Sequence, residues 1–131
     1  MKRMLIIFIA ILGMAAVALA GNTETLTLKR GQQKTAAKAE IIIKFVSVTE
    51  DSRCPVDANC VWAGNAKVHV KVTDRHGGMK MMVMNATMGP KGDQYNGWAI
   101  YLTSLDPPPK SSKKINQRSY TAIFTITRLQ R

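Results

Sequence analysis

The sequence is short of acidic, aromatic, histidine and cysteine residues. Only 8 Asp and Glu stand against 19 Lys and Arg, aromatic residues make up 6% of the chain, and 131 residues hold 2 histidines and 2 cysteines. Each scarcity argues against a class of chemistry. His69 and His76 are the only imidazoles and neither is local to Ser52, so no nucleophile, base and orienting group come together. Glu50 and Asp51 are adjacent carboxylates, but Arg53 beside them points to ion pairing before acid–base work. Cys54 and Cys60, with five residues between them, have the wrong spacing for a Cys-x-x-Cys redox pair. Few aromatics, and no interleaving of basic with aromatic residues, argue against a nucleic-acid partner. The expectation is a protein that is not an enzyme and needs no cofactor.

What is present begins with a three-zone N-terminus. Basic Lys2 and Arg3 precede an apolar run from Met4 through Val17, and the small-residue end Ala18-Leu19-Ala20 comes before Gly21. That layout predicts a signal peptide over 1–20, cleaved after Ala20, and a single β domain over 21–131. A retained membrane anchor is the alternative, since the run approaches spanning length. Gly13 and the Ala-x-Ala end favour cleavage, and no cysteine follows to take a lipid. The product is expected to be periplasmic or secreted, with no transmembrane anchor after processing. Losing Lys2 and Arg3 leaves 17 basic against 8 acidic residues, a formal +9 that attracts anionic partners. An oxidising compartment allows a Cys54–Cys60 disulfide, whose short loop contributes only about 2 kcal/mol.

Helical periodicity is hard to find after Gly21, whereas alternation is common. Leu26 and Leu28 alternate with threonines in a first strand ending near Lys29-Arg30-Gly31, and Gln32, Gln33 and Lys34 read as a polar link. A second strand spans about Glu40 to Val48. There Ile41, Ile43 and Phe45 share one face but Ile42, Val46 and Val48 the other, so either both faces are covered or a bulge switches phase after Phe45. Residues 66–72 place Ala66, Val68, Val70 and Val72 on one face and Lys67, His69 and Lys71 on the other. Asp74 to Gly78 supplies turn chemistry, with Met79 to Thr87 as the hairpin partner. Met88 to Gly97 reads as a loop, Trp98 to Thr103 as a strand ended by Asp106-Pro107-Pro108-Pro109, and Tyr120 to Ile126 as the last strand. Six or seven short strands predict an all-β, two-sheet antiparallel sandwich of immunoglobulin-like type, with a small β-barrel as the alternative.

The most informative stretch runs from Glu50-Asp51-Ser52-Arg53-Cys54-Pro55 to Cys60-Val61-Trp62-Ala63-Gly64-Asn65-Ala66. Asp51 and Ser52 suit a turn, Pro55 stiffens the loop, Trp62 can cover the disulfide, Gly64 allows a close backbone approach, and Arg53 can pair bidentately with a neighbouring carboxylate. The string resembles the signature of a family of small exported bacterial proteins: an acidic-Asp-Ser-Arg-Cys-Pro block, a short disulfide loop, then Trp-Ala-Gly leading into an amphipathic strand. The Tyr101-Leu102 strand, the Pro107–Pro109 run and Tyr120 also fit, so the likeness covers roughly residues 24–128. It implies export and this architecture, and it supplies no catalytic residues.

Two further clusters stand out. Lys110, Lys113, Lys114 and Arg118 lie in one polar connection, an anion-binding candidate suited to an anionic envelope polymer or lipid head groups. His76, Met79, Met81, Met82, Met84 and Met88 fall in thirteen residues. Thioether plus imidazole is a soft set suited to Cu(I), so His76, Met82, Met84 and Met88 are the alternative to ordinary core packing. The expected function is a non-catalytic exported binding or envelope-associated module. Its alternatives are a periplasmic copper carrier and a small inhibitor presenting the disulfide loop to an envelope protein.

Overall fold

The computed structural model describes residues 22–129, so the expected signal peptide over 1–20 and its cleavage site lie outside the described residues. Eight strands form: β1 Thr23–Lys29, β2 Gln33–Ala36, β3 Ile41–Thr49, β4 Lys67–Asp74, β5 Met79–Asn85, β6 Gly92–Tyr95, β7 Trp98–Asp106 and β8 Thr121–Arg128. A 3-10 turn, Gln117–Ser119, precedes β8. The strands pair antiparallel in two open sheets, β1-β8-β7-β6 and β2-β3-β4-β5, not closed into a barrel. The expected sandwich therefore forms. Within it each strand pairs with its neighbour in sequence, apart from the two sheet crossings and the β1–β8 pair. The order is up-and-down, without the Greek-key crossings of an immunoglobulin domain.

Alternation places the core. Val68, Val70 and Val72 of β4 are buried, as are Leu28 of β1, Ile41, Ile43 and Phe45 of β3, and Ala122, Phe124 and Ile126 of β8. Phe45 and Phe124, from opposite sheets, meet edge to face with centroids 6.1 Å apart, closing the layer between them. The mixed phase of β3 is resolved by a bulge between Phe45 and Ser47, which returns Val48 to the core while Ile42 stays exposed. A second irregularity, between Leu102 and Ser104, does the same for Leu105 of β7.

Two expectations need correction. The polar link around Gln33 and Lys34 contains strand β2, and the loop at 88–97 contains strand β6. Both are four-residue edge strands pairing on one side, and between them only Ala36 is buried. A short edge strand has almost no apolar face to show in its sequence. The crossing between sheets near β6 is held by Asp74 of β4, whose carboxylate accepts the Tyr95 hydroxyl (2.6 Å) and the backbone N–H groups of His76 (2.8 Å) and Gly78 (2.9 Å).

Candidate functional site

The chain leaves the sheet at the end of β3 through Glu50, whose φ of 53° turns it away from the strand. It then runs back alongside its own return. Ser52 N–H donates to Asn65 O (2.6 Å), Asn65 N–H to Ser52 Oγ (3.1 Å) and Cys54 N–H to Ala63 O (3.0 Å). Gly64 sits in this narrow ladder at φ +66°, where a Cβ would run into the Ser52 carbonyl, so the close approach expected of it is present. Cys54 and Cys60 are bonded to each other, with Cα atoms 5.9 Å apart, and close the loop beyond the ladder. Pro55 opens a tight turn inside it, its carbonyl accepting from Ala58 N–H.

Arg53 makes the bidentate pair expected of it, with Asp51 as partner: Nε to Oδ1 and Nη2 to Oδ2, both 2.9 Å. Its remaining donors reach Leu105 O (2.8 Å) at the end of β7 and Pro107 O (2.9 Å) in the proline run. Asp51 also accepts the Tyr120 hydroxyl at 2.6 Å. Burial opposes the charged carboxylate, but the bonds from Arg53 and Tyr120 outweigh it and hold the Asp51 carboxyl below its usual range. The same contact pushes the other way on Tyr120, where burial and then Asp51 raise the phenol. The Arg53 guanidinium, bonded to Asp51, is held charged.

The disulfide loop is docked on the basic connection. Val56 N–H donates to Pro109 O (3.0 Å), and Asp57 Oδ1 accepts both Ser111 N–H (2.9 Å) and Ser111 Oγ–H (2.8 Å). These bonds from Ser111, with the nearby charge of Lys110, lower the Asp57 carboxyl. Two segments that look independent in the sequence thus form one end of the sandwich. Lys113, Lys114 and Ile115 are the wall between two hollows of about 270 and 280 Å³; Asp51 and Tyr120 line the first, Pro107, Pro108 and Lys110 the second. Lys110, Lys113 and Lys114 are exposed, and no ion pair of the described residues includes them. Arg118 stands apart on the 3-10 turn, lining neither hollow, with its N–H bonded to the Asn116 side chain. Gln117 pairs its side-chain amide with both backbone groups of Val48, fastening the turn to β3.

The expected role of Trp62 is corrected. Its side chain is 75% exposed, so it is not a buried lid on the disulfide; Val61 beside it is 95% exposed and Val56 63%. All three side chains face solvent, and the tryptophan of the core is Trp98. The soft-ligand set also fails to assemble: Met82 and Met84 are fully buried on the inner face of β5, whereas Met88 and His76 are exposed. His76 lies in the turn joining β4 to β5, and Met84 pairs with Val68 far down the hairpin, roughly 20 Å away at strand rise. Met79, Met81 and Val83 form an exposed row on the outer face, next to Lys71, which itself faces Lys44.

Asn65 has a part its sequence context did not single out. Its Oδ1 accepts from Thr87 and Met88 N–H and its Nδ2 donates to Asn85 Oδ1, so it pins the loop return to the end of β5. The Asp51–Tyr120 and Asp57–Ser111 contacts were equally hidden, because 69 and 54 positions separate the partners. No protein-family model matches this chain, and no curated protein or solved structure matches it.

Proposed function

We propose that this protein is a non-catalytic module of the cell envelope, exported by its N-terminal leader, which binds an anionic partner through the disulfide-loop end of the sandwich. The observation that carries the reading is the docking of the loop on the connection through Asp57 and Ser111, which holds Lys110, Lys113 and Lys114 on one end, in none of the ion pairs of the described residues. Clustered cations act together where scattered ones are screened beyond about 8 Å at physiological salt. Export is supported by the Cys54–Cys60 bond and by the resemblance of the 50–66 segment to exported proteins. Among the described residues no helix is long and apolar enough to cross a membrane.

The test is binding to dextran sulfate and to phosphatidylglycerol vesicles over a salt series. Reversing Lys110, Lys113, Lys114 and Arg118 to Glu is expected to remove most binding, and reversing Lys29, Lys44, Lys71 and Lys91 much less. Equal losses would reduce the attraction to the diffuse field of a basic protein. A small protein inhibitor is the second reading, favoured by the exposure of Val61 and Trp62 on a closed loop. It requires a stoichiometric protein partner in envelope extract that is lost on changing Val61 and Trp62.

A further inference from the structure

We propose that the disulfide loop and the two residues that follow it are a bilayer-docking site, in which Val61 and Trp62, with Val56, enter the interface of an anionic membrane while Lys110, Lys113 and Lys114 hold its head groups. The inference rests on the anionic-partner reading and names the partner. Three large apolar side chains stand 63%, 95% and 75% exposed within seven residues of one loop. A valine at 95% exposure packs against almost nothing in its own fold, so its apolar surface is available to an outside phase. Tryptophan has an apolar body and one N–H donor, the combination that settles at the head-group level of a bilayer.

The loop is preorganised for this. The disulfide, the Cys54–Ala63 bond and the Val56–Pro109 bond hold its base, so docking orders little additional chain. Charge is arranged to match. Ser111, bonded to Asp57, follows Lys110 and lies close before Lys113 and Lys114, and Val56 is bonded to Pro109, so the basic connection adjoins the loop at Val56 and Asp57. Asp57 is the acidic residue of the loop, and its carboxylate is occupied by Ser111. Exposed apolar side chains on a loop adjoined by a basic connection match the layering of an anionic leaflet, acyl chains behind phosphates. A soluble polyanion would satisfy the lysines and leave Val61 and Trp62 in water.

Trp62 is its own reporter, because the other tryptophan, Trp98, is buried in the core. The oxidised protein recovered from exporting cells is mixed with vesicles of phosphatidylglycerol and phosphatidylcholine, and separately with dextran sulfate. Expected on the anionic vesicles are a blue shift of tryptophan emission and quenching by bromine-labelled acyl chains, with neither change on pure phosphatidylcholine or dextran sulfate. By vesicle sedimentation, the double change Val61→Ser and Trp62→Ser should weaken binding roughly tenfold, and reversal of Lys110, Lys113 and Lys114 roughly a hundredfold at low salt. All five side chains are exposed, so the fold should persist, as far-UV circular dichroism can check. Vesicle binding without any change at Trp62 would overturn bilayer docking and leave the anionic-partner reading standing. Failure to bind either vesicles or dextran sulfate would overturn both. Full loss of vesicle binding in a Lys44→Glu, Lys71→Glu variant would transfer the site to the outer face of the β2–β5 sheet and also overturn the proposal.

Discussion

Arg53 and Asp51 face each other through two parallel bonds of 2.9 Å, and each then reaches a different part of the fold. Arg53 extends to the carbonyls of Leu105 and Pro107, and Asp51 to the hydroxyl of Tyr120. The pair therefore joins the segment leaving β3 to the end of β7 and the start of β8. It links one sheet to the other on the side where the loop and the basic connection meet.

Replacing Arg53 should be costly, because the Asp51 carboxylate, only 13% accessible in its side chain, would lose its charged partner and two carbonyls would lose donors. Arg53→Met is expected to destabilise the domain by about 3 kcal/mol in urea unfolding. Arg53→Lys should recover only part of this, since a single ammonium cannot make the fork. A cost near zero for Arg53→Met would show that the contacts are surface-like.

The pH response follows from the same carboxylate. The Asp51 carboxyl is held below its ordinary value in the folded state, so its stabilisation is complete above the unfolded value near 3.8 and is lost as pH falls through the folded one. Asp74 behaves alike: the Tyr95 hydroxyl and the Gly78 N–H bring it down to about 2, so its share fades between about pH 4 and pH 2. The urea midpoint should therefore fall below pH 4. Asp51→Asn and Asp74→Asn variants should begin lower and decline less over that window. A midpoint flat from pH 5 to pH 2 in the parent protein would contradict both assignments.

Gly64→Ala combines a left-handed backbone with a Cβ driven into the Ser52 carbonyl. The 52–54 and 63–65 ladder should open, with a loss of about 2 kcal/mol or more in thermal or urea unfolding. Gly31→Ala meets no atom within 4 Å at φ +87° and should cost less, about 1 kcal/mol. Equal costs would mean that steric approach plays no part at Gly64.

Much of this architecture is readable in the sequence, and the readable parts share a cause. β4 shows its face through Val68, Val70 and Val72, and β3 shows its bulge through the phase change after Phe45, because a period of two survives wherever one face is buried. β2 and β6 leave no such trace, being polar edges of four residues. At the candidate site the sequence marks Arg53, the two cysteines and Gly64, whose partners are near in the chain. It cannot show that Asp57 meets Ser111, since a contact across 54 residues is made by the fold. Trp62 reads as cover in the sequence, since an aromatic beside a disulfide can pack on it, and its outward placement shows only in the folded chain.

A Cys54→Ser, Cys60→Ser variant should lose about 2 kcal/mol, the entropy of a short closed loop, while keeping the sheets. Amide exchange is expected to accelerate at Ser52, Cys54 and Asn65 and to stay slow in β4 and β8. Complete unfolding at room temperature would show that the bond holds the whole domain together.

The pairing of β1 with β8 joins the two ends of the described chain, with Thr23 opposite Thr127. The β2–β5 sheet can assemble from successive hairpins as the chain emerges, but its partner sheet lacks a first strand until the last has arrived. Closing that span of about a hundred residues is entropically slow beside closing a hairpin. A chain built this way stays incomplete until strand β8 is free, so the two sheets can close on each other only after nearly all of the described chain has been made.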